Sequence, residues 1–267
     1  MKDSLSAEQI AQYRQQGFIA IEGFLNAAEL ARWREATDDA VAKRLADKGW
    51  HALNNQGEGS DDYYKQVFVQ CLKLADSHAG MHELIFDERL GRLAGTLAGV
   101  DGIRIWHDQA LIKPPYGNPT AWHLDNPYWS FSSRNSISIW IALDDATLMN
   151  GCMAYLPGTH LTARHDNAGI GSTFGGLFNV YPEWKKMDAT LVPVPAGSAV
   201  LHNGLTAHGA GVNMTSRPRR AMTCAYMPDG STFNGQKNVL PDDYFQSLKP
   251  GDSLQDNRIT PLIWQRK

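Results

Sequence analysis

Hydrophobic and polar positions repeat with different periods in the two parts of the chain. In the first hundred residues the apolar positions recur at helical spacing, and Ser6 and Asn26 each stand three residues before a Gln or Glu, which is typical of helix N-caps. We predict helices over 6–16 and 26–48, a short strand in FIAIEGFL, and a third helix in MHELIFDERLGRLAGTLAG that Gly99 closes. The N-terminal part, about 1–100, is therefore predicted to be mostly helical.

From residue 103 the chain consists of short β segments separated by Gly, Pro and Asn. These segments are IRIWHDQALIK, SISIWIAL, CMAYLPG, TLVPVP, SAVLHNGLTAHG and RAMTCAYMP. Many short strands at regular spacing are typical of an antiparallel barrel or jelly roll. We predict one domain over 1–267, mainly β with flanking helices: a cupin-like double-stranded β-helix over about 101–228, N-terminal helices packed outside it, and a C-terminal extension over about 229–267. The Gly-rich segment 165–190 is predicted to be a long insertion that acts as a lid.

Alternation within the strands predicts which side chains face inward. In SISIWIAL, three isoleucines share one face and Trp140 lies on the other, so we expect the isoleucines to pack against the helices and Trp140 to line a cavity. In RRAMTCAYM the same period groups Arg219 with Ala221 and Thr223, a charged residue beside small ones. This pattern leaves room for a ligand, but an outward-facing arginine fits it equally well.

Composition and charge exclude several classes of function. A net charge of -3 with interleaved acids and bases offers no basic surface for nucleic acid. The N-terminus lacks the apolar core of a signal peptide and no apolar run approaches the roughly 20 residues of a membrane span, so we expect no membrane contact and a cytoplasmic location. Cys71, Cys152 and Cys224 are widely spaced, and we expect them to be reduced packing residues.

The stretch TAWHLDNPYW contains the first candidate for metal chemistry. Residues i and i+2 of a strand point the same way, so His123 and Asp125 are able to bind one ion together. Two histidines and one carboxylate are the arrangement of non-haem Fe(II) sites, which leave positions open for co-substrate and oxygen. His202 and His208 are candidates for the third ligand. Both lie in one predicted strand with the same parity, so alternation does not choose between them.

Three phrases of the sequence resemble the phytanoyl-CoA dioxygenase family of Fe(II)- and 2-oxoglutarate-dependent oxygenases. They are DQALIKPPYGNPTAWHLDNPYW, SISIWIALDDATLMNGCMAYLPGTH and AVLHNGLTAHGAGVNMTSRPRRAMTCAY, within about 66–228. The resemblance implies iron ligands at His123, Asp125 and His208, with His202 as a cavity-wall or structural histidine. It also implies that Arg219, eleven residues after His208, binds the distal carboxylate of 2-oxoglutarate through a guanidinium fork, in preference to Arg217 or Arg220.

The resemblance implies further contacts and a reaction. Trp140 and Gln109 are expected beside 2-oxoglutarate, with Gln70, or else Lys65, as an upstream contact, while Ala210 stands where relatives often carry a serine. We expect Trp129 and Asn126 to contact the substrate and assign His107 and Asp108 to structure.

The implied activity is that of a dioxygenase that uses O2 to hydroxylate a small organic metabolite and releases succinate and CO2. The carboxylate at Asp125 disfavours halogenation, since halogenases of the wider group carry Ala or Gly there. The alternatives are a metal-dependent isomerase or epimerase, or a non-catalytic binding or sensing protein, on the same barrel.

Overall fold

The computed structural model describes residues 1–47, 54–55 and 61–267. The helices are Ala7–Gln16 (α1), Ala27–Ala46 (α2), Asp62–Lys65 (α3), Ala79–Ile85 (α4), Glu88–Ala98 (α5), Leu177–Val180 (α6) and Asp242–Ser247 (α7). The strands are Phe18–Ile21 (β1), Val69–Leu72 (β2), Gly102–Lys113 (β3), Thr120–His123 (β4), Ile137–Ala142 (β5), Met153–Tyr155 (β6), Thr190–Val192 (β7), Ala199–Asn203 (β8), His208–Ala210 (β9), Arg219–Pro228 (β10) and Leu262–Gln265 (β11).

The helix starts follow from capping. Ser6 and Asn26 each accept a hydrogen bond from the backbone of the residue three positions on, and that residue's side chain bonds back to the cap. The predicted helices over 6–16 and 26–48 are confirmed as α1 and α2, although residue 48 lies outside the described residues. The single third helix was wrong. Asp87 accepts a hydrogen bond from the backbone of Arg89 and begins a new helix, so α4 and α5 are separate.

Two antiparallel sheets form the centre of the fold. Among the described residues, the larger has the order β1-β8-β5-β10-β3-β11, with β2 also paired to β3, and the smaller has the order β4-β9-β6-β7. Side chains from both sheets, including Trp140, Tyr155 and Val200, form one apolar cluster, so the sheets face each other. The mainly β, jelly-roll architecture with flanking helices is as predicted.

The outer face of the larger sheet is covered by the N-terminal helices. Ile137, Ile139 and Ile141 share a buried cluster with Trp33 of α2 and Leu93 of α5. The predicted facing of SISIWIAL is therefore confirmed. It leaves the inner face of β5 and β10 free to carry polar side chains into the space between the sheets.

The predicted strand SAVLHNGLTAHG is two strands in different sheets. It breaks after Asn203, whose side chain accepts from the backbone of Leu205 and donates to the carbonyl of Arg134. β8 then belongs to the larger sheet and β9 to the smaller. As a consequence, His202 and His208 approach the interior from opposite sides, and the parity argument does not apply to them.

Three further predictions concern the cysteines, membrane contact and the segment 165–190. The three cysteines are buried and unbonded, as expected. No helix in the described part of the chain is long and apolar enough to cross a membrane. The segment 165–190 includes α6 and a short 3-10 helix, and its Gly169 and Ile170 line the main cavity.

Candidate active site

Three predicted metal ligands converge between the sheets. His123 ends β4 and lies opposite His208 at the start of β9, so their rings approach to 4.2 Å between centroids. Asp125 lies beyond β4, in helical backbone conformation ahead of a short 3-10 helix. Its Oδ1 lies 3.7 Å from His123 Nε2 and 3.6 Å from His208 Nε2. The three ligand atoms lie within 4.8 Å of one another.

Backbone carbonyls orient both imidazoles. Nδ1 of His123 donates to the carbonyl of Ala121 at 2.8 Å, and Nδ1 of His208 donates to that of Thr206 at 2.9 Å. These bonds leave each Nε2 with a lone pair directed towards Asp125. Burial lowers the pKa of both histidines, so both rings are neutral, which is the form that binds a metal.

The other oxygen of Asp125 is held by a separate hydrogen-bond chain. Oδ2 accepts from Ser138 Oγ at 2.8 Å and from His202 Nε2 at 3.1 Å, and His202 Nδ1 accepts from the hydroxyl of Tyr155 at 3.1 Å. Both bonds to Oδ2 stabilise the ionised form of Asp125 against the cost of burial. Asp125 is therefore a carboxylate with Oδ1 directed at the two other candidate ligands.

Among the described residues, no carboxylate forms an ion pair with Arg219. Its side chain is 1% exposed, and its guanidinium lies 5.1 Å from the ring centroid of Trp140. Nη1 donates to the carbonyl of Gly151 at 3.3 Å, while Nε and Nη2 have no hydrogen-bond partner within the described residues. Burial lowers the pKa of Arg219 to about 10, so the group remains charged at neutral pH. A buried cation of this kind requires an anionic partner.

A buried threonine hydroxyl lies in the wall of the cavity. Thr120 lies opposite Ala210 in the register of β4 and β9, and its buried Oγ1 has no hydrogen-bond partner within the described residues. Thr120, Ala210 and Trp140 all line one cavity of about 580 Å³ that also contains the three candidate metal ligands. Sequence reasoning noticed the alanine but did not identify this threonine, because only the strand register brings the two together.

The remaining predicted contacts divide into two groups. Gln70 and Gln109 line the cavity and are joined by a 2.6 Å hydrogen bond from Gln70 Nε2 to Gln109 Oε1. Lys65 instead pairs with Asp62 at 3.1 Å and is not among the lining residues.

The two residues that are predicted to contact the substrate lie in different surroundings. Trp129 lines the cavity as expected. Asn126 does not, because its amide is fully buried and stabilises the loop: Nδ2 donates to the carbonyl of Phe131, and Oδ1 accepts from the backbone of Ser133 and contacts His165.

His107 was assigned to structure, but it lines the cavity with its ring edge-on to Trp129, 6.1 Å between centroids. Burial lowers the pKa of His107 to about 4, so the ring is neutral. The signal was present in the sequence, because His107 and Gln109 are two residues apart on β3 and share a face. Asp108 faces the other way and accepts from the backbone amides of Leu74 and Ala75, the structural role expected for it.

Lys113 is a buried basic residue close to Arg219 that the sequence did not single out. It lies opposite Arg219 in the register of β3 and β10, and its Nζ donates to the carbonyl of Asn118 at 2.6 Å and lies 4.7 Å from the ring centroid of Phe68. Burial, and then the charge of Arg219, lowers the pKa of Lys113 to about 7. The folded protein therefore disfavours the protonated form.

This lowered pKa predicts a pH-dependent contribution to stability. Between about pH 7 and pH 10 an unfolded lysine binds more protons than Lys113 does in the folded protein, so its contribution to the free energy of unfolding rises with pH. We expect wild type to gain stability relative to Lys113→Met across this window, by at most about 1.4 kcal/mol per pH unit. Urea denaturation of both proteins at each pH measures the difference. A difference that stays flat would mean that Lys113 titrates normally.

The donor chemistry fits both iron and 2-oxoglutarate. Two neutral imidazoles and one carboxylate match the facial donor set of non-haem Fe(II), and all three ligand atoms are free to face one ion. A dicarboxylate supplies the missing partner of Arg219, and Thr120 adds a donor for the same anion. The fit to 2-oxoglutarate rests on atoms of Arg219 and Thr120 that have no hydrogen-bond partner within the described part of the chain.

Comparisons with known proteins agree with this chemistry. The sequence model described as phytanoyl-CoA dioxygenase (PhyH) matches residues 13–221. A methylphosphonate hydroxylase from Gimesia maris is 27% identical over 229 residues, which cover 85% of this chain and 82% of the relative.

Two solved structures are similar over nearly the whole chain. The non-heme alpha ketoglutarate dependent carbocyclase SnoK from nogalamycin biosynthesis superposes with a TM-score of 0.79 at 28% identity, covering 97% of this chain and 96% of SnoK. The epimerase SnoN, in complex with Fe3+, alpha ketoglutarate and nogalamycin RO, has a TM-score of 0.74 at 25% identity, covering 96% and 97%.

Proposed function

The chain belongs to the phytanoyl-CoA dioxygenase family, and from this membership we propose that it hydroxylates a small organic molecule at the cavity between its two sheets. It is an iron- and 2-oxoglutarate-dependent dioxygenase. The observation that carries the proposal is the cluster of His123, Asp125 and His208 in the wall of a cavity, together with the buried guanidinium of Arg219 against the lining residue Trp140. Fe(II) and 2-oxoglutarate, when bound, supply the oxidising chemistry: O2 and 2-oxoglutarate are consumed, and succinate, CO2 and the hydroxylated product form.

We assign the metal to Nε2 of His123, Nε2 of His208 and Oδ1 of Asp125. The carbonyls of Ala121 and Thr206 fix the tautomer of each imidazole, so neither ring has to reorient to bind. Oδ2 of Asp125 is engaged by other partners, which leaves Oδ1 as the ligand oxygen.

We assign the distal carboxylate of 2-oxoglutarate to Arg219. Nε and Nη2 form a donor pair that a carboxylate accepts in a bidentate manner, and the face of Trp140 supports the guanidinium. Thr120 supplies the hydroxyl that Ala210 does not, since the two residues lie opposite each other. Gln70 and Gln109, joined by a hydrogen bond, supply further polar groups to the cavity.

Anaerobic titration tests the proposal. Fe(II) and 2-oxoglutarate added to the protein without oxygen should produce a weak visible charge-transfer band, and Fe(II) alone should not. Admission of oxygen with a panel of small molecules should then release succinate, and mass spectrometry should find one added oxygen atom in the consumed compound. If no band forms at saturating Fe(II) and 2-oxoglutarate, the proposal is wrong.

His202 is proposed as a positioning residue for the metal ligand Asp125. Its Nε2–H holds Oδ2 and thereby fixes the direction of Oδ1, while Tyr155 fixes the ring of His202. We expect His202→Leu to weaken Fe(II) binding by about 10–100-fold, the range typical of partners of metal ligands. Tyr155→Phe should have a smaller effect, because it acts through one more hydrogen bond. Fe(II) affinity is measured by the charge-transfer band at fixed 2-oxoglutarate.

A conservative variant separates positioning from general loss of structure. Glutamine retains an N–H donor, so His202→Gln should recover a substantial part of the Fe(II) affinity that His202→Leu loses. Equal affinities for the two variants would show that the hydrogen bond to Oδ2 does not matter.

The whole chain is proposed to work as one domain. β1 and β2 from the N-terminal part and β11 from the C-terminal extension pair with strands of the larger sheet. Val239 of the C-terminal extension and Gln70 of the N-terminal part also line the same cavity.

A further inference from the structure

The wall of the cavity includes residues from four separate parts of the chain. Tyr64 and Phe68 come from the region around α3, Tyr128 and Trp129 from the turn after Asp125, Ile170 from the segment 165–190, and Val239 from the C-terminal extension. Four of these six residues are aromatic. With about 580 Å³, the cavity has the size of a site for a drug-sized ligand, well beyond the needs of an anion of a few atoms.

The aromatic wall is rigid on one side. Trp129 is 4% exposed, and it stacks on Phe131 at 5.5 Å between centroids, with His107 edge-on from the other direction. The hydroxyl of Tyr128 donates to the carbonyl of Ala168 at 2.8 Å, which ties this wall to the segment 165–190. A flat apolar ligand would therefore meet a preformed surface.

The charge of the lining is negative or neutral. Among the described lining residues the ionised side chains are the carboxylates of Asp61 and Asp125, and none is a lysine or arginine. Lys65, beside the lining residue Tyr64, pairs with Asp62, and Lys237, beside Asn238, pairs with Asp242. Arg219 is reserved for the co-substrate in the proposed function. Phosphate, phosphonate and coenzyme A groups are normally bound by the cationic side chains of Lys and Arg. The described lining residues offer such groups no cationic side chain.

We propose that the substrate is an uncharged molecule with a flat, ring-containing apolar body, and that the cavity discriminates against phosphorylated and phosphonate compounds. This inference rests on the proposed function, because it places the substrate beside a metal and co-substrate whose charges are already balanced. Neutral His107 and Asn238 provide the polar contacts at the wall, which suit hydroxyl or carbonyl groups rather than anions.

A matched pair of probes tests the charge preference. 2-Naphthol and 2-naphthyl phosphate share one ring system and differ by the phosphate. Each is titrated anaerobically into the Fe(II)- and 2-oxoglutarate-loaded protein, with calorimetry and perturbation of the charge-transfer band as readouts. We expect 2-naphthyl phosphate to bind at least about tenfold more weakly, because its charge is desolvated without a partner. Equal or tighter binding of the phosphate, or binding of neither probe, would overturn the inference.

Two variants test which lining residues cause the preference for the uncharged probe. Asp61→Asn keeps a side-chain acceptor for the backbone amide of Tyr63 and removes one negative charge. It should tighten 2-naphthyl phosphate binding about two- to fivefold at low ionic strength, with less effect in high salt, and leave 2-naphthol unchanged. Trp129→Ala should weaken 2-naphthol by at least about tenfold, since a buried aromatic contact is lost. Unchanged affinities in both variants would contradict the assignment of this wall.

The failure of this inference is distinguishable from failure of the proposed function. If wild-type protein gives no charge-transfer band before any probe is added, the proposed function fails. If the band forms but 2-naphthyl phosphate binds as well as 2-naphthol, only the substrate inference fails.

Discussion

Asp125→Ala is expected to abolish turnover and to weaken Fe(II) binding by at least about 100-fold, beyond what loss of a ligand's partner causes. Oδ1 is the atom that faces both Nε2 atoms of His123 and His208, so its removal leaves two neutral ligands and no charge to balance the metal. The charge-transfer band should disappear at Fe(II) concentrations that saturate wild type. Succinate release should fall to the background of free iron.

Two variants make this result specific. Asp125→Asn keeps the shape of the side chain and an acceptor for Ser138, so it should fold like wild type but bind iron poorly, because the amide NH2 then stands in the place of Oδ1 and the negative charge is lost. Asp101→Ala removes an 80% exposed carboxylate that pairs with Arg266, and it should retain iron binding. Full activity of Asp125→Ala would show that this carboxylate is not a metal ligand.

The candidate metal site was predictable from the sequence to the extent that local geometry determines it. His123 and Asp125 converge as the two-residue spacing suggested, although β4 ends at His123 and a turn, rather than a strand, brings Asp125 round. Alternation grouped Arg219 with Ala221 and Thr223 on one face of β10, but it left open whether that face points inward. The inward assignment came from the family resemblance, because periodicity alone does not say which face of a strand meets the interior.

The parts that sequence reasoning missed depend on contacts between distant segments. The hydrogen bond between His202 and Asp125 joins residues 77 positions apart, and it requires β8 and β9 to separate into different sheets. The pairing of Thr120 with Ala210, and of Lys113 with Arg219, likewise comes from strand register. Alternation gives no register, so these partners were not predictable. The break at Asp87 was missed although a local signal was present, because Asp87 is a helix N-cap residue type and the buried positions of α4 and α5 do not follow one continuous helical period.

Arg219→Ala is expected to weaken 2-oxoglutarate binding by more than about tenfold. The substitution removes a bidentate charged contact, for which about 1.5–3 kcal/mol per hydrogen bond is typical, and each 1.4 kcal/mol corresponds to about one decade in affinity. Fe(II) binding should survive, because no ligand changes. A monocarboxylic 2-oxo acid should lose much less affinity than 2-oxoglutarate, since it has no distal carboxylate. Titration of the charge-transfer band with each acid measures both affinities.

The neighbouring arginine provides the matched control. Arg220 faces away from the cavity and pairs with Asp144 and Asp38. Arg220→Ala should therefore lower stability but leave the affinity for 2-oxoglutarate close to that of wild type. Arg217→Ala should also leave this affinity close to that of wild type. Thermal unfolding adds a readout independent of turnover. 2-Oxoglutarate with Fe(II) should raise the melting temperature of wild type and Arg220→Ala, and at the same concentration raise that of Arg219→Ala much less, because stabilisation follows ligand concentration relative to its dissociation constant. If Arg220→Ala abolishes 2-oxoglutarate binding while Arg219→Ala leaves it intact, the assignment of the co-substrate to the buried guanidinium is wrong.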